Sequence, residues 1–484
     1  MEELDVSSVA KKSVRGILAL TSRTFFIQTV SFGANFLLTI FLSPAVFGVF
    51  FVVSAVIAFL SYFSDVGLAA ALIQKKENIT QEDLRTTFTI QQVLVVFLVI
   101  LVLVFSTTIG KFYNLQNDGI LLIQALAISF FLSSLKTIPS ILLERDLNFN
   151  KLVIPQIVET LFFNVIVVIL AVKGFGIASF TYAVLARGIS GLVTIYLISP
   201  WKVGFGFSAL SAKKLLSFGV PFQLNSLLAL IKDDLFIAYL GKVLPLGEVG
   251  YIGFAQKWAL MPLRLIMDNV IRITFPSFSR LQDEKNILTK AIEKSIFASC
   301  FVIFPSLTGL VLLSPYFINL IPKYIKWEPA LLSLFFFSIS SAASSISTPL
   351  VNALNAIGKI RMTLYLMVFW TLATWIITPI LIVSLGFNGV AIASALISLS
   401  FIIVIAITRR YFDFNVVNAT FYPLAGSIVM GVSIYFMGQI FAKSVLGLLL
   451  VICFGAMIYF LTSFALGRKQ IKKDLMFIKQ NLRQ

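Results

Sequence analysis

The chain contains no histidine and only two cysteines, Cys300 and Cys453. Without imidazole there is no histidine general base, no histidine metal ligand and no Ser-His or Cys-His nucleophile system. Two thiols inside apolar stretches read as small core side chains and define no disulfide framework. Charge is scarce as well: 12% of 484 residues, against 59% hydrophobic residues and a mean hydropathy of +0.98. Acids are rarer than bases, 21 against 38, which leaves a formal net charge of +17. No soluble domain of this length has that balance, so the expected fold class is an all-α polytopic membrane protein. No signal peptide is expected, because the first twelve residues are polar and no small-residue cleavage site follows a short apolar core.

What the chain has instead is long hydrophobic runs. About 20 apolar residues suffice to cross a bilayer. Fourteen such spans are legible, at about 16–41, 45–73, 86–110, 119–142, 152–172, 177–199, 215–240, 249–271, 289–313, 330–355, 362–384, 388–408, 421–441 and 446–466. An even number puts both termini on one side. Twenty-six bases then fall on the side of the termini, six on the opposite side and six inside spans. This is the positive-inside pattern, and it predicts a multi-pass cell (plasma or inner) membrane protein with both termini cytoplasmic. The basic excess orients the chain and implies contact with anionic membrane lipids, not nucleic acid.

The sequence also repeats. Ala10-Lys11-Lys12 reads onto Ala212-Lys213-Lys214, and Leu42-Ser43-Pro44-Ala45-Val46-Phe47-Gly48 onto Leu244-Pro245-Leu246-Gly247-Glu248-Val249-Gly250. Both matches use one offset of 202 residues. The expected organisation is a six-helix lobe over 1–200, a second over 201–410, an added helix pair over 411–466 and a basic cytoplasmic tail over 467–484. Parallel repeats of this kind build transporters around a central cavity. The longest external loop, 314–329, carries Tyr316, Tyr324 and Trp327, which read as an interfacial belt.

Six bases lie at lipid depth: Arg23, Lys136, Arg187, Lys232, Lys257 and Arg264. Facing lipid they would cost roughly 15 to 20 kcal/mol together, as much as the whole stability of a typical domain, about 5 to 15 kcal/mol. They therefore face a wet interior or pair with Asp65, Glu159, Asp233, Asp234 or Asp268, and an anionic cargo is expected. In the first span Thr21, Thr24, Gln28, Ser31 and Asn35 fall within about 80° of arc, flanked by Arg23. In the eighth, Lys257, Met261, Arg264, Asp268 and Arg272 follow one helix face, with Arg264 and Asp268 spaced as an i, i+4 pair. In the seventh, Gln223, Asn225, Lys232, Asp233 and Asp234 do not fit one face, which predicts a bend near Gly219 and Pro221. The candidate substrate-binding residues are Arg23, Gln28, Asn35, Asn225, Lys232, Lys257 and Arg264. The candidate gating or coupling residues are Asp65, Asp233, Asp234 and Asp268. Internal ion pairs that only hold helices together are the structural alternative. Lys136 and Arg187 stay unassigned between snorkelling and pairing with Glu144 or Glu159.

Three stretches resemble a known family. Phe63-Ser64-Asp65-Val66-Gly67-Leu68-Ala69-Ala70-Ala71-Leu72-Ile73-Gln74 with Thr80-Gln81-Glu82-Asp83-Leu84 is similar to the end of the second helix in Wzx-type polysaccharide-export flippases. So are Pro139 with Leu142 to Phe149 after the fourth helix, and Leu260-Met261-Pro262-Leu263-Arg264 with Phe275 to Gln282 around the eighth. These flippases belong to the multidrug/oligosaccharidyl-lipid/polysaccharide exporter superfamily, and the resemblance covers roughly residues 10–410. It implies two six-helix lobes plus two helices around a V-shaped cavity. It also implies an oligosaccharide on a polyprenyl diphosphate as cargo, moved from inner to outer leaflet by alternating access. No enzyme activity and no cofactor are expected, and a polysaccharide polymerase is an expected partner. A cation-coupled small-molecule or drug antiporter of the same superfamily is the alternative.

Overall fold

The computed structural model describes residues 6–75, 77, 79–224 and 227–481, with side chains over 22–466 apart from positions 222, 224, 269, 272 and 273. All regular structure among the described residues is helical. The chain forms two compact units, Met1–Gly250 and Tyr251–Gln484.

The first unit opens with α1 (Val6–Phe41) and α2 (Pro44–Ser61). Pro44 sits in the first turn of α2, where its missing N–H leaves nothing unsatisfied. A 3-10 turn over Tyr62–Ser64 and two residues of positive φ, Val66 at 49° and Gly67 at 74°, lead into α3 (Leu68–Gln74). α4 (Gln81–Phe112) begins with a capping box: Thr80 Oγ1 accepts from the Asp83 N–H at 3.1 Å, and the Asp83 carboxylate accepts from the Thr80 N–H at 3.0 Å. Lys75 reaches the same carboxylate at 2.6 Å. There follow α5 (Asn117–Ser134), α6 (Thr137–Arg145), α7 (Phe149–Val172) and α8 (Ala178–Ile198).

The end of α3 is tied down from α6. Arg145 donates to the carbonyls of Leu72 at 2.9 Å, Lys75 at 2.5 Å and Glu77 at 2.7 Å, which supplies partners for a helix end that has none of its own. Beneath it Leu68, Leu72, Phe88, Ile138 and Trp201 form a buried cluster with Leu215 of α9 (Ala209–Leu224). α9 meets the turn before α3 backbone to backbone: a Cβ on Gly67 would lie 2.1 Å from the Gly219 carbonyl oxygen. The Tyr62 hydroxyl donates to the Gln223 carbonyl, and Gln223 Nε2 donates back to the Tyr62 carbonyl at 2.7 Å.

The seventh expected span is irregular. After α9 come α10 (Leu227–Leu230), a π turn over Ile231–Leu235 and α11 (Phe236–Val243). Pro221 lies inside α9, so the described irregularity falls about ten residues beyond the expected bend. α12 (Leu246–Arg280) then begins. Its start crosses the start of α2: a Cβ on Gly48 would lie 1.7 Å from the Leu246 oxygen, and one on Gly250 1.9 Å from the Pro44 oxygen. At the offset of 202, Gly250 is the counterpart of Gly48 and Leu246 of Pro44. Each glycine thus meets the counterpart of the residue that the other meets.

The second unit contains most of α12 with α13 (Lys285–Leu320), α14 (Ala330–Ala356), α15 (Ile360–Leu385), α16 (Asn388–Ser398), α17 (Phe401–Arg409), α18 (Val416–Phe441) and α19 (Val445–Asn481). Ile292, Ile296, Cys300, Leu350 and Val404 pack in one of its buried clusters. Cys300 is buried as a small core side chain, whereas Cys453 is exposed. Trp327 corrects the interfacial-belt reading of the 314–329 loop. It is 0% exposed and stacks on Phe254 with ring centroids 4.3 Å apart, so it packs inward, where its large apolar area is removed from solvent.

Among the described residues, twelve helices are long and apolar enough to cross a membrane. The expected spans at 215–240 and 249–271 are not among them, so the count of fourteen is not confirmed. The first is interrupted by the π turn, and the second carries Lys257, Arg264 and Asp268.

A candidate cationic pocket

Four segments of the first unit converge on one cavity of about 420 Å³. α1 contributes Arg23, the start of α6 contributes Lys136, α7 contributes Gln156, Glu159 and Thr160, and α8 contributes Arg187. Residues 156, 159 and 160 fall on one face of α7 by their i, i+3, i+4 spacing. The Tyr196 hydroxyl donates to the Leu135 carbonyl at 3.1 Å, which fixes the backbone beside Lys136. Glu159 lies ten residues past Phe149, the first residue of α7, hence about 15 Å along the helix axis.

One carboxylate serves two cations, and the third bonds to the amide one turn before it. Lys136 Nζ donates to Glu159 Oε1, and Arg187 Nε lies 3.6 Å from Glu159 Oε2. Arg23 Nη1 donates to Gln156 Oε1 at 2.6 Å. The Glu159 and Lys136 side chains are only 12% and 14% exposed, whereas Arg187 is 57% exposed and open to the cavity. Glu159 fits because residue 191 has no side chain: a Cβ on Gly191 would lie 2.0 Å from its Oε1. The charged lining sums to two net positive charges, in a region where partial burial strengthens Coulomb attraction over its value in water.

Arg23 also lines a second cavity of about 560 Å³ between α1 and α7, with Phe25, Phe26 and Thr29 on one side and Asn150, Val153 and Ile157 on the other.

Of the residues expected from sequence, Arg23 enters the pocket. Gln28 and Asn35 are half-buried on α1 but line neither cavity, and Asn35 Nδ2 donates to the Ser31 carbonyl at 2.6 Å. Asn225 lies outside the described residues. Lys232 pairs with Asp233 at 2.8 Å in the π turn, beside half-buried Asp234. Asp65 accepts from the Ala69 N–H at 3.2 Å and so caps α3. In the second unit Lys257, Arg264 and Asp268 are exposed on α12. Among the described residues no ion pair joins Arg264 to Asp268, so the expected i, i+4 bridge is not formed. The side chain of Arg272 lies outside the described set.

Lys136 and Arg187, unassigned from sequence between snorkelling and pairing, both pair with Glu159, and with Gln156 they are pocket residues outside the expected site. A signal was available. Glu159 is the only acid in the first, fourth, fifth and sixth spans, which together hold three of the six buried-depth bases.

Residues 37–330 match the polysaccharide biosynthesis protein family. The chain is 25% identical over 428 residues to an uncharacterized membrane protein in the cps region of Klebsiella pneumoniae, a match spanning 85% of this chain and 86% of that one. It is 25% identical over 367 residues to the lipopolysaccharide biosynthesis protein WzxC of Escherichia coli (strain K12), spanning 73% of each. Its fold is that of the lipid II flippase MurJ in an inward closed conformation, with a TM-score of 0.76 at 17% identity, covering 93% of this chain and 99% of that one. With residues 37–330, more than half of its length, inside one family's pattern, the chain belongs to the polysaccharide biosynthesis protein family.

Proposed function

We propose that this protein is a flippase that moves a polyprenyl-diphosphate-linked oligosaccharide from the inner to the outer leaflet by alternating access. The carrying observation is the cavity where Arg23, Lys136 and Arg187 surround one carboxylate. A diphosphate bears about two negative charges, and guanidinium groups suit it by paired charge-assisted hydrogen bonds. Glu159 holds Lys136 and Arg187, and an arriving phosphate takes over these donors. Lys232, Lys257 and Arg264 supply further cationic contacts, and Gln28, Asn35 and Asn225 serve sugar hydroxyls. Asp65, Asp233, Asp234 and Asp268 gate or couple the cycle. Family membership and the transporter fold support movement of the lipid rather than bond-making chemistry, so the protein is not an enzyme. Both termini face the cytoplasm of the inner membrane, which puts the start of α7, and the pocket near it, toward the leaflet where the cargo is assembled. A polysaccharide polymerase receives the cargo on the far side. Outward movement of a dianion gains about 2.3 kcal/mol per charge per 100 mV of potential, negative inside.

The test is cell-surface polysaccharide in a strain whose own copy is deleted. Arg23→Ala with Arg187→Ala should lower surface polysaccharide by about tenfold, a change of about 1.4 kcal/mol, at normal membrane insertion. Wild-type export from that double variant would remove the pocket from the account.

A further inference from the structure

The span that carries Lys136 is broken at that residue. α5 ends at Ser134 and α6 starts at Thr137, and the Lys136 N–H reaches back three residues, to the Ser133 carbonyl at 3.2 Å, instead of four. The cause lies three residues on. Pro139 has no N–H to give the carbonyl four residues before it, that of Leu135, and its ring crowds that carbonyl. The Tyr196 hydroxyl of α8 takes the place of the missing donor, at 3.1 Å. The flanks of the break are held from α4. Gln91 and Gln92 are the only polar residues between Thr89 and Ser106 of that helix, and both are buried. Gln92 Nε2 donates to the Ser134 hydroxyl at 3.1 Å, just before the break, and Gln91 Nε2 to the Thr137 hydroxyl at 3.0 Å, just after it. A buried amide without a partner is costly where no water reaches it, so adjacent glutamines persist in an apolar membrane helix when both are engaged.

We propose that Gln91, Gln92 and Tyr196 are positioning residues: by fixing residues 134, 135 and 137 from two helices, they aim the Lys136 ammonium into the cationic pocket. The proposal rests on the flippase reading above. A lysine ammonium is a point charge on a flexible four-carbon stem, so the direction of its backbone decides where the charge goes. Lys136 meets Glu159 with its side chain only 14% exposed, and the backbone on both sides of it is tied to a neighbouring helix. None of the three positioning residues lines the pocket, so each acts on the cargo's phosphates through Lys136. A packing role alone would instead lower stability with no dependence on what stands at position 136.

The experiment is a double-mutant cycle with Lys136→Gln. Binding of inorganic pyrophosphate and of polyprenyl diphosphate to full-length protein in nanodiscs is measured beside thermal unfolding. Gln91→Leu combined with Gln92→Leu should weaken both ligands about fivefold when Lys136 is present, and by less than about twofold when position 136 is already Gln. Tyr196→Phe should follow the same pattern. Thr137→Val should also weaken binding, whereas Thr137→Ser keeps the hydroxyl and should bind as wild type does; this pair carries the test if the double glutamine variant does not fold. Equal losses in the two backgrounds would make the glutamines packing residues and overturn the proposal. Unchanged affinity in folded variants would overturn it as well, and either result leaves the flippase reading standing. No binding of polyprenyl diphosphate by the wild-type protein would remove both.

Discussion

Replacing Glu159 with Gln keeps the shape of the cationic pocket and removes its only negative charge, so the charged lining goes from two to three net positive charges. Two effects follow with opposite signs. Lys136, 14% exposed, loses its carboxylate. Breaking a fully buried pair costs about 3 to 5 kcal/mol and an exposed pair about 0 to 1. The pocket lies between, and Arg187 is already half in solvent, so a stability loss of about 2 kcal/mol is expected. The anion gains. At about 6 Å and an effective dielectric near 40, one unit charge contributes about 1.4 kcal/mol for each unit of charge on the ligand. A polyprenyl diphosphate should therefore bind about tenfold to a hundredfold more tightly. Tighter holding of the cargo without a competing carboxylate should slow its release, and export should fall while affinity rises. The assay is titration of purified protein in nanodiscs with polyprenyl diphosphate, beside thermal unfolding and cell-surface polysaccharide. Weaker or unchanged binding by a folded Glu159→Gln protein would refute the idea that this carboxylate occupies the place of the cargo's phosphate.

Gly191→Ala should push Glu159 off its seat, since the new Cβ would fall 2.0 Å from Oε1; pyrophosphate affinity should then move in the direction of Glu159→Gln, by a smaller factor. Arg145→Ala removes the donor to three carbonyls at and just beyond the end of α3 and should lower stability by about 3 kcal/mol, since a hydrogen bond to a charged group contributes about 1.5 to 3 kcal/mol net and the exposed bond to Glu77 contributes little; thermal unfolding should show Arg145→Lys between it and wild type. Gly250→Val sets a side chain against the Pro44 backbone at 1.9 Å, and a backbone cannot swing aside, so a loss of about 3 kcal/mol and poor accumulation in membranes are expected. Arg264→Ala should abolish export at normal insertion and Arg264→Lys only weaken it; normal export in the alanine variant would make the α12 cations structural.

The twelve confirmed spans were legible because length and apolarity determine them with no knowledge of partners. The two that fall short are the ones whose charges drew attention, around Lys232 and around Lys257 to Asp268: the same polar residues that suggest a site erode the hydropathy that marks a span. Of the candidate site, Arg23 was legible from its polar helix face. Pairing of Lys136 and Arg187 with Glu159 was one of the readings open in sequence, but it could not be selected, because the three come from different helices and no periodicity within one helix relates them. The stretches that carry the family resemblance turn out to fasten the fold. Asp65 caps α3, Thr80 and Asp83 cap α4, and Arg145 closes the far end of α3. Trp327 was misread because position in a loop says nothing about which way a side chain turns.

The central claim is that this chain moves a lipid diphosphate by way of the Arg23–Lys136–Arg187 pocket. The most direct measurement is flipping of a fluorescent polyprenyl-diphosphate oligosaccharide in vesicles containing the purified protein, at a fixed potential, negative on the donor side. The account predicts potential-dependent flipping by the wild type and a loss of about a hundredfold, about 2.7 kcal/mol, when Arg23, Lys136 and Arg187 are all replaced by Gln in a protein that still folds and inserts. Flipping at the wild-type rate by that triple variant would contradict it.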